Sequence, residues 1–99
     1  MTSKQRQQRF AALEAMGCIV CRNEYGTYTP AEIHHLRGHQ WSGMGRRAND
    51  EHTIPLCPEH HRTGGYGVAY HAGAQEWERL YGTQGELLEQ VNELLREVA

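Results

Sequence analysis

The chemistry in this 99-residue sequence is concentrated in three cysteines and seven histidines. An odd number of cysteines cannot form a fully paired disulfide framework and points toward metal binding. Two of them stand as Cys18-x-x-Cys21, and the third opens Cys57-x-x-His60. A knuckle of this spacing points two ligands at one ion, and two knuckles complete a closed, tetrahedral structural zinc site. Cys18, Cys21, Cys57 and His60 are therefore the predicted ligands of a structural Zn2+. Ordinary buried thiols would explain the cysteines taken singly, but not two matched pairs with a histidine in the fourth place.

Six of the seven histidines fall between His34 and His61, and only His71 lies outside that stretch. Adjacent residues on a strand point to opposite faces, so His34 and His35 divide their work. One can coordinate an ion while the other faces a substrate or takes a hydrogen bond. His61 follows the zinc ligand His60, and on a helix the next residue turns about 100° away. It is free to leave the zinc site and face the strand bearing His34. A cation held by imidazoles with open positions can draw charge from a phosphate oxygen. A neutral histidine beside it can take a proton from water. Those are the parts needed for phosphodiester hydrolysis. Each histidine alone also has a bland reading, His35 as a structural residue and His61 as an exposed one.

The elements that must position these groups can be read from spacing. Ser3 to Met16 reads as a helix with Phe10, Leu13 and Met16 along one stripe, stopped at Gly17. Arg22 to Pro30 reads as a polar loop, Ala31 to Leu36 as a short strand, and Gly38 to Asp50 as a flexible glycine-bearing loop. Thr53 to Leu56 is a second strand, and Pro58 suits the first turn of a helix that Gly64 to Gly67 ends. Gln75 to Tyr81 reads as a helix stopped by Gly82. Thr83 can cap the next, over Glu86 to Val98, where Leu87, Leu88, Val91, Leu94, Leu95 and Val98 recur at helical spacing.

Apolar residues make up 38% of the chain, which allows one modest core that a metal would help hold. No apolar run approaches the roughly 20 residues of a membrane span. The polar start MTSKQRQQRF lacks the apolar stretch of a signal peptide, so a cytoplasmic protein is expected. Net charge is only −2, which argues against a simple polyanion binder. From Gln75 onward there are six acids and two bases; the remainder carries eight bases and six acids. The field near the histidines thus weakly favours an anion. Nine of the ten bases are arginine, the side chain suited to bidentate phosphate contact.

The stretch Ile33-His34-His35, a glycine-bearing loop, then His52-Thr53-Ile54-Pro55-Leu56-Cys57-Pro58-Glu59-His60-His61 resembles the HH…N-x-x-x-L-C-x-x-(C/H)-H pattern of the HNH endonucleases. More narrowly, the chain from Cys18 to about Tyr81 is similar to the recombination enhancement function family of phage nucleases. Ala-Glu-Ile-His-His, Ile-Pro-Leu-Cys-Pro-x-His-His and Gly-Val-Ala-Tyr-His-Ala-Gly carry that similarity. The resemblance implies an α+β fold, a small zinc-stabilised ββα-metal domain with an N-terminal helix and two C-terminal helices. A single domain over residues 1–99 is expected, with the helix in 1–17, the knuckles and metal core in 18–71, and the C-terminal helices in 72–99.

By the same resemblance His35 is the general base, and His34 and His61 are ligands of a catalytic ion. His52 stands where the pattern has an orienting Asn. His71 lies in the similar stretch and offers a third ligand, with a backbone-bonded histidine at a helix start as the alternative. The activity implied is metal-dependent DNA cleavage, with Mg2+, Mn2+, Ni2+ or Zn2+ as the catalytic ion, and DNA held by RecA as the implied partner. Neither a membrane nor a small-molecule substrate is expected. Arg37, Arg46 and Arg47 flank the Gly43-Met44-Gly45 loop, and with Arg62 they are the candidate phosphate contacts. The alternative function is a catalytically inactive zinc-stabilised module that binds DNA or a protein.

Overall fold

The computed structural model describes residues 1–42 and 47–98. Thr2 starts the first helix: its hydroxyl accepts from Gln5 N at 3.1 Å while Gln5 Oε1 accepts from Thr2 N at 2.8 Å. Helix α1 (Ser3–Met16) follows, burying Leu13 fully and Phe10 and Met16 in part. It stops at Gly17, whose φ of 79° suits glycine. A Cβ there would lie 2.8 Å from the Tyr28 ring and 2.9 Å from Thr29 O, so the close approach also demands glycine.

Helix α2 (Ile19–Tyr25) takes up the first four of the nine residues read as a loop. Two local features extend it: the Cys18 sulfur accepts from Cys21 N, and Gly26 ends it in the left-handed region. Strands β1 (Glu32–His35) and β2 (Thr53–Leu56) pair antiparallel, with His34 opposite Ile54 and His35 opposite Thr53. One face of the hairpin carries Glu32, His34, Ile54 and Leu56; the other carries Ile33, His35, Thr53 and Pro55. Every residue of β2 is buried.

The first turn after Pro58 winds as a π-helical turn (Glu59–Thr63), closed by a Gly64 N–H donating to Glu59 O at 3.0 Å. A 3-10 turn (Tyr70–Ala72) and helix α3 (Ala74–Tyr81) follow. Helix α4 (Gln84–Val98) begins two residues before the predicted start, because Thr83 caps it. Glu86 N donates to Thr83 Oγ1 at 3.1 Å and Thr83 N to Glu86 Oε1 at 2.9 Å. Leu13, Ile19, Leu36, Ile54, Leu56, Trp77 and Val91 form the centre of the core. The described residues therefore form a small α+β fold of four α-helices and one hairpin. Among the described residues, no helix is long and apolar enough to cross a membrane.

Arg9 ties three of these elements together. Its guanidinium donates to the Thr53 hydroxyl at 2.9 Å, Thr53 O at 2.8 Å and Asn92 Oδ1 at 3.1 Å. Helix α1 is thereby fixed to β2 and to α4, on the hairpin face that carries His35.

Candidate metal centres

Two groups of metal-ligating side chains converge, and the π-helical turn contributes one histidine to each. The first joins Cys18, which caps α2, Cys21 in its first turn, Cys57 just after β2, and His60 from the π-helical turn. All four are buried, and their ligand atoms lie within 4.8 Å of one another. His60 Nδ1 sits 3.2 Å from Cys57 Sγ, 3.6 Å from Cys21 Sγ and 3.9 Å from Cys18 Sγ, with the Cys21 and Cys57 sulfurs 3.9 Å apart. A tetrahedron with zinc–sulfur bonds of about 2.3 Å has edges of about 3.8 Å, so this donor set fits a structural metal. Burial pushes the Cys18 thiol up to about 12 and the Cys57 thiol upward as well, and holds His60 below the ordinary histidine value. Trp77 Nε1 donates to His60 O at 3.0 Å, which braces the turn from α3.

The second group is His34, His61 and His71, again with one ligand atom each inside 4.8 Å. His34 is 1% exposed, whereas His61 is half-buried and His71 lies at the surface, so the pocket opens to solvent on one side. His61 Nε2 and His71 Nε2 are 3.1 Å apart. On its other nitrogen, His61 Nδ1 donates to Glu32 Oε1 at 2.8 Å. Glu32 in turn accepts from Arg62 Nη2 at 2.7 Å and Nε at 2.9 Å. These partners, Arg62 foremost and then His61, hold the Glu32 carboxyl down to about 2. His34 Nε2 meets Gln84 Oε1 at 2.9 Å, and burial lowers the His34 imidazole to about 3. Burial, with the nearby His61 and Arg37, lowers His71 too.

Three imidazole nitrogen donors could hold a divalent ion and leave coordination positions open. A carboxylate behind one ligand and an amide behind another orient the rings as second-layer partners of metal-bound histidine commonly do.

The remaining predicted residues fall elsewhere. His35 is on the opposite hairpin face from His34, its Nε2 donating to Asp50 Oδ1 at 2.9 Å and its ring edge-on to Phe10 at 6.0 Å. His52 packs edge-on against Trp41 at 5.2 Å, and its buried Nδ1 has no hydrogen-bond partner among the described residues. Its backbone carbonyl does tie to β1, accepting from Leu36 N at 3.1 Å. Arg62 is bound to Glu32, Arg47 Nη2 lies 3.6 Å from Asp50, and Arg37 is exposed beside the imidazole pocket. Arg46 and the Gly43-Met44-Gly45 loop lie outside the described residues.

Glu32, Asp50 and Gln84 are the partners that sequence reasoning missed. Glu32 carried a signal, since it stands two residues before His34 and so shares its strand face. Asp50 and Gln84 carried none.

A sealed thiolate pocket, which could hold a structural metal ion, thus shares one turn with a more exposed imidazole cluster. The family model for recombination enhancement, RecA-dependent nuclease, matches residues 1–96 of this chain. The chain belongs to that family. It is also 40% identical over 55 residues to an uncharacterized protein of Escherichia coli strain K12, YdfU. That alignment covers 56% of this chain and 14% of YdfU.

Proposed function

We propose that this chain is a metal-dependent DNA endonuclease of the HNH type, with His34, His61 and His71 holding the catalytic ion. The observation that carries this reading is the convergence of three imidazoles, from buried His34 to exposed His71, two of them oriented from behind by Glu32 and Gln84. A divalent ion bound there supplies Lewis-acid withdrawal of charge from a phosphate oxygen. His35 is the proposed general base. Its Nε2–H is committed to the Asp50 carboxylate, so Nδ1 is the atom that takes the proton from water. The carboxylate also steadies the imidazolium that forms. Exposed Arg37 is the proposed phosphate contact nearest the imidazoles. Arg62 serves the pocket indirectly, by charging and holding Glu32. The thiolate pocket is proposed to hold zinc and to stiffen the turn that bears His61.

The family description names RecA dependence, and RecA-coated DNA is the substrate form proposed. Supercoiled plasmid incubated with a divalent metal, with and without RecA filaments, tests both parts. Cleavage should be lost in His35→Ala while zinc content stays at one per chain. Undiminished nicking by His35→Ala would remove the assigned base. The opposite-face placement of His35 favours a second reading, a zinc-stabilised DNA-binding module without hydrolysis. Binding without any cleavage, at every metal tried, would select it.

A further inference from the structure

Gln84 opens α4 and is only 4% exposed, yet it lies 50 residues along the chain from His34. Both ends of its side-chain amide are engaged. Nε2 donates to Arg37 O at 2.9 Å, and Oε1 accepts from Arg37 N at 2.9 Å. The same oxygen is 2.9 Å from His34 Nε2. Gln84 is itself held in place, its backbone N–H donating to Glu78 Oε2 at 2.7 Å.

The Arg37 backbone settles which way this amide faces. A carbonyl only accepts and a backbone N–H only donates, so a flipped amide would set like against like at both contacts. Oε1 therefore faces His34, and an oxygen acceptor requires a proton on His34 Nε2. A neutral imidazole protonated there carries its lone pair on Nδ1. Glu32 imposes the complementary state on His61, where a proton on Nδ1 leaves the lone pair on Nε2. Both rings are thus preset as ligands before any ion arrives.

We propose that Gln84 is a positioning residue of the imidazole pocket, locking His34 in the Nε2–H tautomer so that its Nδ1 lone pair is offered to a divalent cation shared with His61 and His71. This rests on the metal-site reading above. It assigns to α4 a part in ligand chemistry, beyond its packing on the core.

The test compares the full zinc-loaded chain with Gln84→Leu and Gln84→Glu. The first readout is the ring 15N shifts of His34 without added metal, and the second is calorimetric titration with Ni2+. Glu keeps the two acceptor contacts, and in its protonated form also the donor to Arg37 O. Wild type should show the Nε2–H tautomer. Gln84→Leu should show mixed tautomers and bind Ni2+ about 10–100-fold more weakly, and Gln84→Glu should recover most of that loss. A His34 protonated on Nδ1 in wild type overturns the proposal. So does Ni2+ binding by Gln84→Leu as tight as wild type with the tautomer unchanged. If Gln84→Leu fails to fold, the wild-type tautomer and the Gln84→Glu titration decide alone. A wild-type His34 in the Nε2–H form that binds no Ni2+ overturns the metal-site reading itself, and identifies that reading as the failed step.

Discussion

His60 and His61 are consecutive residues of one π-helical turn, and each faces a different pocket. His60 Nδ1 lies among three sulfurs, while His61 Nε2 is 3.1 Å from His71 Nε2. The backbone between them is therefore shared scaffold.

Replacing Cys57 with serine should empty the thiolate pocket and unfold the chain. Structural zinc contributes on the order of 10 kcal/mol or more, comparable to the whole net stability of a domain, about 5–15 kcal/mol. Zinc analysis with circular dichroism reads both effects, and a folded, zinc-replete Cys57→Ser protein would contradict them. The pH dependence has a definite sign. Burial in the thiolate pocket pushes the Cys18 thiol up to about 12. Below that value the thiol must give up its proton to bind zinc, so zinc affinity should rise with pH. Zinc uptake at neutral pH must expel that proton, so titration in weak buffer should acidify the solution. Zinc binding with no proton release would refute the assignment.

His34→Ala should separate the two pockets. Zinc in the thiolate site should remain at one per chain, and Ni2+ affinity at the imidazole site should fall at least tenfold. Loss of both metals together would show that the sites are not independently loaded.

The Asp50–His35 pair predicts a non-additive result. Asp50→Asn should lower the nicking rate by about a hundredfold or more, since a misoriented base forfeits most of its contribution. In a His35→Ala background the same change should do almost nothing. Additive losses would mean that Asp50 acts by some route other than His35.

Arg9→Ala removes the three donations that join α1, β2 and α4. Denaturant unfolding of the zinc-loaded protein should show a loss of roughly 2 kcal/mol, as expected for hydrogen bonds from a charged group. Unchanged midpoints would show that helix packing alone holds α1 in place.

What could be read from the chain beforehand follows the range of the interactions. Ligand spacing is local, so the grouping of Cys18, Cys21, Cys57 and His60 was legible, and the structure gathers all four. The alternation of a strand separates His34 from His35 on spacing alone. The extent of α2 was not legible, because its start depends on the Cys18 sulfur acting as a cap. The His52 side chain was expected to orient the base-bearing strand; that side chain packs on Trp41, and Asp50 is the group bonded to His35. No pattern in the sequence marks that exchange, since it depends on how the loop after β1 returns to β2. Gln84 was invisible for the same reason, its partners lying a long way upstream.

The reach of that last glutamine also sets an order of assembly. All ligands of the cysteine-rich cluster have been synthesised once residue 60 is made, whereas the histidine trio lacks its tautomer lock until residue 84 docks. A nascent chain thus holds the whole cysteine-rich donor set before it has the helix whose first residue meets His34.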